Sequence, residues 1–597
     1  MLAKAVTQES DAAFGVSRSF SGRRWNLRGA GDEAVRALVQ AGNISDSLAR
    51  ILAARGAQAA DLPDILNPTL KRLLPEPYLL KDMERAVART RDAIAAGEKI
   101  AVCGDYDVDG SASSALMANF LSALGRPPRI YIPDRMTEGY GPNAAAMQTL
   151  KGEGANLVVT VDCGAVATQA LSAARDAGLD VIVLDHHAVE TLPPAYAQVN
   201  PNQPGDTSGL SYVCAAGVTL LFLVALNRSL RESGWYTANG VAEPDLREYV
   251  DLVGLATICD VVPLIGINRA FVRAGLARLS AQPRPGMSAL ATIAKTAAPF
   301  TPYHLGFIFG PRINAGGRVG KCSLGVELLS TLDSASADEI ARRLDTHNRE
   351  RQALEGMILD NAAAMAGTQG NAPFVLVSDE GWHPGVVGIV AGRLKERFGK
   401  PAFVAGFEGG MGRGSARSIP GIDIGAMVRA AHESGLIESG GGHAMAAGFS
   451  LSAHQLGGFR EFLTRRFAGT SAAFDAAAEL VLDAAISPAG AHADLVLEIA
   501  KAGPYGAGNL EPLLVLPDVR VTFADIVGKD HVRLRVSGGD GAQLGAIAFR
   551  AAETPLGQGL LKARGRTIHL AGRLREDNWN GQSRIQLQVE DAAVAGG

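Results

Sequence analysis

Several things are scarce in this chain, and each scarcity excludes something. The five cysteines, Cys103, Cys163, Cys214, Cys259 and Cys322, include no pair in CxxC spacing. That argues against a zinc or dithiol redox motif and fits a reducing compartment. Net charge is slight, −4 at neutral pH with a pI of about 6.3. A generic nucleic-acid coat would be basic overall, although an acidic metal centre can mask a local basic groove. Long apolar runs are missing. The longest, Val213 to Leu226, is too short to span a bilayer and reads as a buried helix. The first residues include Lys4, Glu9 and Asp11 with no signal-peptide core, so a cytoplasmic protein with no membrane contact is expected. What the chain does have is length: 597 residues are too many for one core and imply three or four domains.

The stretch Ala101 to Gly110, AVCGDYDVDG, is an apolar strand running into Asp105, Asp107 and Asp109, with a helical run from Ser111 to Leu124 behind it. Carboxylates this close repel unless a cation sits among them, and oxygen ligands suit hard ions such as Mg²⁺ or Mn²⁺. A solvated acidic turn is the plainer alternative. A Ca²⁺-binding EF-hand would need a preceding helix and a Glu at its twelfth position, and has neither.

From Lys99 onward, strand-like and Ala-rich helical runs alternate: IAVC then 111–124, RIYI then 143–152, LVVTV then 166–177, then VIVL. This is the βαβ pattern of a parallel sheet, where ligands gather at the carboxyl ends of strands. Those ends carry Asp105, Asp107 and Asp109, then Asp162, then Asp185, His186 and His187. A cap or turn role explains one such group better than three, so convergence on a metal centre is expected. Asp260 ends an amphipathic segment running from Asp245 to Cys259, and Pro263 bars its continuation. An aspartate beside a helix C-terminus is unfavourable without a cation.

Further on, Arg312, Arg318 and Lys321 lie in GPRINAGGRVGK, read as a Gly-rich loop suited to phosphate contact or as a plain connector. A long helix over 336–366 follows, with Ser336 and Glu339 in capping-box spacing and a basic face of Arg342, Arg343, Arg349 and Arg351. A second α/β unit starts near 373 and carries two glycine-rich stretches, GGMGRGSARS with Ser415, Arg417 and Ser418, and GGGH ending in His443. Both are expected to be loops whose amides approach phosphate. The last stretch has short β runs and a hairpin signal at Asn580-Gly581, with Trp579 at its tip, which suggests an OB-type barrel. Arg533 and Arg535 share a strand face there and fit single-strand binding, although aromatics are few. Near the start, Arg23, Arg24, Trp25 and Arg28 are either a nucleic-acid patch or a docking arm.

Taken together, GDYDVDG (104–110), VDCG (161–164), DHH (185–187), ICDVVPL (258–264), GPRINAGGR (310–318), GWHPGVVGIVAGRLKERF (381–398), GSARS (414–418) and GGHAMAAGF (441–449) resemble the DHH phosphoesterase superfamily. Within it they are similar to the single-stranded-DNA-specific exonucleases, in the same order. The resemblance implies an α/β fold: a parallel-sheet DHH domain and a smaller α/β DHHA1 domain joined by a long helix, with a C-terminal OB-type β-barrel. The expected division is an extension packing on the DHH domain (1–80), the DHH domain (81–335), the connecting helix (336–366), the DHHA1 domain (367–468) and the OB domain (469–597). The implied activity is Mn²⁺- or Mg²⁺-dependent degradation of single-stranded DNA from the 5′ end to 5′-mononucleotides in repair and recombination. A helicase and a single-strand-binding protein are the implied partners. Relatives acting on short oligonucleotides or cyclic dinucleotides, or an inactive DNA-binding scaffold, are the alternatives.

By the same resemblance Asp109, Asp162, His186 and Asp260 hold one of two ions. Asp107 and the bridging Asp162 hold the other, with Asp105 beside them. Asp185 orients His186, and His187 serves the phosphate or the attacking water. Arg312, Arg318, Ser415, Arg417, Ser418 and His443 grip phosphates. Two departures stand out: Cys103 where relatives often carry His, with weaker hold on the second ion implied, and Gly317 where Ala is expected, with little effect.

Overall fold

The computed structural model describes residues 12–595 other than 136, 371, 469–473, 475–477 and 578–583. Trp579 and the Asn580-Gly581 hairpin signal lie outside the described residues.

The first sheet is the parallel one the alternation predicts. Its strands are β1 (Ile100–Gly104), β2 (Arg129–Tyr131), β3 (Leu157–Val161), β4 (Asp180–Leu184) and β5 (Ala197–Val199), in spatial order β2-β1-β3-β4-β5. Every residue of β1 and β3 is buried, as a parallel sheet covered on both faces requires. Alternate side chains serve opposite layers. Ile100, Val102, Leu157 and Val159 join the main core with α1 (Val108–Ala123), α2 (Ala215–Glu232) and α3 (Val250–Cys259). Ala101, Cys103, Val158 and Val181 join a smaller core with Met147, Leu150 and Leu171. Strand β1 has β2 on one side and β3 on the other. The chain therefore reverses direction across the sheet at the carboxyl ends of β1 and β3, the place where such folds open a ligand crevice.

Two local readings change. GPRINAGGRV is a helix, α4 (Gly310–Val319), and not a loop. Its glycines serve close packing: a Cβ at Gly310 would lie 2.6 Å from Cys259 Sγ, and one at Gly317 would lie 2.4 Å from Tyr106 Cδ2. The long helix is α5 (Ser334–Gly367), capped by Asp333, whose side chain accepts from Ser336 N at 2.7 Å. It starts two residues before the expected 336, because Asp333 and not Ser336 caps it.

The second α/β unit has a five-stranded sheet ordered β9-β10-β8-β7-β6, with β6 (Val375–Glu380), β7 (Ala402–Glu408), β8 (Met411–Arg417), β9 (Ser439–His443) and β10 (Ala446–Ser452). Helix α6 (Pro384–Phe398) packs on it. Both glycine-rich stretches read as loops are therefore strands, β8 and β9. Glycine is needed where a large ring covers the strand: a Cβ at Gly414 would lie 2.2 Å from the Phe449 ring.

The C-terminal unit is a closed five-stranded barrel made by Leu514–Val527, His531–Ser537, Gln543–Ala548, Arg584–Val594 and Thr567–Asp577, the last pairing back to the first. The amino-terminal stretch docks on this barrel. Arg24–Leu27 pairs with Glu479–Leu482, Trp25 is fully buried and donates to Asp591 at 3.0 Å, and Arg23 and Arg28 face Asp591 and Asp483. So the RRWNLR patch is a docking arm. The expectation that residues 1–80 pack on the DHH domain is corrected, since its first strand packs on the barrel. Only the later part, around Leu70 and Leu80, joins the DHH core.

Candidate metal centre

Three loops at the switch point bring the acidic groups together. Asp107 caps α1 by accepting from Gly110 N at 3.1 Å. This turns the next residue but one, Asp109, inward, where its oxygens accept from Ala215 N at 2.7 Å and Ala216 N at 2.8 Å at the start of α2. Asp162 follows β3 in a left-handed conformation, φ 58°, a strain that persists only where surrounding structure fixes it. Asp260 caps the C-terminus of α3, and Val261 beside it is also left-handed, φ 59°, and 67% exposed. For a β-branched residue that is a true outlier.

Ligand atoms form three overlapping groups, each within 4.8 Å: Asp109 with His186 and Asp260; Asp105 with Asp107 and Asp162; Asp162 with His186 and His187. His186 Nε2 lies 3.4 Å from Asp162 Oδ1, 3.6 Å from Asp260 Oδ2 and 3.8 Å from Asp109 Oδ2. Burial pushes Asp105 and Asp162 well up, joined by the charge of Asp107 on Asp105 and of Asp109 on Asp162. Burial and neighbouring carboxylates push Asp260 to about 9 and Asp109 to about 7. Burial and the charge of His187 pull His186 down to about 4, a neutral ligand. Asp260 Oδ2 is buried without a hydrogen-bond partner among the described residues. An orphaned carboxylate oxygen among clustered acids and an unprotonated imidazole fits one or two hard divalent cations.

Asp185 does not hold the ring of His186. Its Oδ1 meets His187 Nδ1 at 2.7 Å and takes the main-chain N–H of His186, while Oδ2 accepts from Ala165 N. The β4 end turns the His187 ring, and not that of His186, toward this carboxylate. Burial opposes charge on His187, but the Asp185 bond raises it to about 9. Cys103 is a core residue of the sheet and belongs to none of the ligand groups.

Basic side chains from both lobes surround the acids. His443, at the end of β9, stacks on His187 with centroids 6.3 Å apart. Arg417 donates to Ser415 Oγ at 2.8 Å. Arg318 donates to Gly385 O at 3.0 Å, joining α4 to α6. Arg135, which sequence reasoning passed over, lies with its guanidinium 5.1 Å from the Tyr106 ring centre. Burial and the charge of Arg135 pull Arg318 down to about 10 and lower Arg417 as well. Among the described residues these three arginines form no direct ion pair with a carboxylate, and the acids reach them only at longer range, Asp107 acting on Arg318 and Arg135 on Asp105. Tyr140 was also missed; its hydroxyl donates to Asp162 O at 3.0 Å and lies 3.4 Å from His187 Nε2. Their one signal was position: both lie in the loop after β2, at the same sheet edge.

Two predicted phosphate contacts are engaged elsewhere. Arg312 bonds Asp345 of α5 at 3.0 Å and Ile308 O at 2.8 Å, so it braces the connecting helix. Ser418 is buried and donates to Ile422 O at 2.7 Å, closing a turn. Gly317 is not neutral either, because the Tyr106 ring of the first acidic loop occupies the space an alanine would need.

A parallel-sheet domain with an Asp-His cluster at its switch point, faced by a second lobe with arginine and histidine, defines a DHH-type phosphoesterase. Comparison agrees: residues 99–257 match the DHH family, N-terminal domain, 371–469 the DHHA1 domain and 482–591 the RecJ OB domain. The single-stranded-DNA-specific exonuclease RecJ of Dickeya dadantii is 36% identical over 91% of this chain and 95% of its own length; that of Bacillus subtilis is 33% identical over 96% and 71%. The crystal structure of Thermus thermophilus RecJ with Mn²⁺ superposes with a TM-score of 0.78 at 30% identity, over 96% of this chain and 80% of that one. A second crystal structure of that protein holds Mg²⁺. The chain belongs to the RecJ family.

Proposed function

We propose that this chain is a metal-dependent exonuclease that degrades single-stranded DNA from the 5′ end to 5′-mononucleotides, in DNA repair and recombination. The observation that carries the reading is one cleft in which the Asp-His cluster, with Arg135 and Arg318 beside it, meets Arg417 and His443 of the second lobe. Bound Mn²⁺ or Mg²⁺ supplies Lewis-acid stabilisation of phosphoryl charge and a water nucleophile at neutral pH. In this reading Asp109, Asp162, His186 and Asp260 would hold one ion, and Asp107 and Asp162, with Asp105 beside them, would hold a second. Asp185 fixes His187 as a charged donor toward a phosphate oxygen. Arg318, Arg417 with Ser415, and His443 draw the strand's phosphates against the metal wall. The unpaired arginines suit a terminal phosphate, which carries more charge than an internal one. The 5′ polarity itself follows from the motif resemblance.

The barrel favours long single strands over dinucleotides, and the complete ligand set argues against an inactive scaffold. A helicase and a single-strand-binding protein are the proposed partners, and the cytoplasm the proposed compartment. Purified protein with Mn²⁺ is expected to digest 5′-phosphorylated single strands and leave blunt duplex largely intact. Faster turnover of a dinucleotide than of a long strand would contradict the reading.

A further inference from the structure

A cavity of about 1110 Å³ lies outside the metal centre, between the DHH domain and the C-terminal unit. It begins at Cys259, Val261 and Val262, either side of Asp260, and ends at barrel residues Leu574 to Glu576. No residue of the DHHA1 lobe lines it. Its wall includes Tyr303 and Phe307, in the π-helical stretch His304–Phe309 and its cap, which lead into α4. They are 61% and 72% exposed and stack on each other, centroids 5.2 Å apart at 22°. Exposed rings are usually mobile, but these stand on a ladder. Tyr303 contacts His304, His304 contacts Phe300, and Phe300 contacts the fully buried Phe309. The pair is thus a flat apolar platform anchored in the domain core, with Arg273 and Lys501 also on the cavity lining.

We infer that Tyr303 and Phe307 form a base-stacking station for the strand that continues past the metal centre, on the side away from Arg417 and His443. This rests on the single-strand reading above and adds the residues that hold the strand between centre and barrel. Three features choose nucleobases as the occupant. The cavity is continuous with the turn that carries Asp260. Its lining is mostly apolar and aromatic, which suits bases and not phosphates. Arg575 on the lining is paired with Glu511, but Arg273 and Lys501 form no ion pair among the described residues and can serve a backbone that follows those bases. Stacking on aromatic faces is tolerant of sequence, as digestion along a strand requires.

The test is the full-length double variant Tyr303→Ala/Phe307→Ala, with Phe307→Trp as the conservative control. Two readouts are taken: KM on a short dinucleotide and on a 20-nucleotide strand, and fluorescence of 2-aminopurine placed at successive positions from the 5′ end. The double variant is expected to raise KM for the long strand about tenfold or more, with dinucleotide turnover unchanged and the 2-aminopurine signal released at one or two positions. Phe307→Trp is expected to keep both readouts near wild type. Unchanged KM and an unchanged fluorescence profile, in a variant that melts like wild type, would overturn the inference while wild-type digestion leaves the nuclease reading standing. Failure of the wild type itself to bind or digest single strands would overturn that reading and this inference with it. Loss of self-association in sedimentation with DNA binding intact would assign the platform to a second copy and overturn it too.

Discussion

Single side chains decide whether the centre forms. Tyr106 lies between Asp105 and Asp107, and its ring fills the space above Gly317. Gly317→Ala is therefore expected to cost about 1–3 kcal/mol through overpacking and to weaken Mn²⁺ binding by moving the acidic loop. Chemical unfolding and metal titration check this, and a neutral result would return Gly317 to the harmless departure it resembles in the sequence. The acids make a second prediction. Asp260, at about 9, and Asp109, at about 7, sit far above the value of an unfolded carboxylate. In protein stripped of metal, the folded state then keeps protons that the unfolded chain has lost. Stability present below about pH 4 is lost as the pH rises through the raised values. His187, raised to about 9, acts in the same direction. Chelator-treated protein is expected to melt lower at pH 9 than at pH 5, and Mn²⁺ to recover more stability at the higher pH, where fewer protons compete with it for the carboxylates. A metal-free melting temperature that does not fall with pH would contradict the cluster.

At the scale of elements, the parallel sheet and its acidic edge were legible because strand alternation and burial on both faces leave a plain pattern. The glycine-rich stretches were not. Glycine reads as a loop former, yet in α4 and β8 it makes room for Cys259, Tyr106 and Phe449, contacts that exist only after folding. Arg135 and Tyr140 were missed because a loop has no periodicity to mark it, and Ser418 was misread because a turn serine and a phosphate-binding serine look alike in sequence. The barrel strand His531–Ser537 is the element to test. Its Arg533 and Arg535 are exposed on one face, with Arg533 5.9 Å over the Phe523 ring. Arg533→Ala/Arg535→Ala is expected to weaken binding of long strands and to make the slope of log affinity against log salt shallower by about 1.4, roughly 0.7 per lost phosphate contact. An unchanged slope would make the barrel face structural.

Across the whole molecule, both lobes contribute to one site: the DHH lobe brings the acids, His186, His187, Arg135 and Arg318, and the DHHA1 lobe brings Ser415, Arg417 and His443. Arg318 bonds α6 across the lobes, Arg312 bonds Asp345 of the connecting helix, and Arg351 and Arg393 share Glu355 between α5 and α6. The DHHA1 cations are thus held against the metal wall by several independent contacts, and the amino-terminal arm ties the barrel to the chain's start. The central claim is that Asp162, with Asp107, Asp109, His186 and Asp260, would hold the metal with which this chain removes nucleotides from one end of a single strand. The most direct measurement is a time course on strands labelled at the 5′ or the 3′ end, with Mn²⁺ and Mg²⁺ compared, using wild type and Asp162→Ala. The account predicts immediate release of 5′ label as mononucleotide and late release of 3′ label. It also predicts loss of turnover by about 10³-fold or more in the variant, consistent with several kcal/mol of lost transition-state stabilisation, with strand binding kept. Early 3′ label, internal fragments or retained turnover in Asp162→Ala would contradict it.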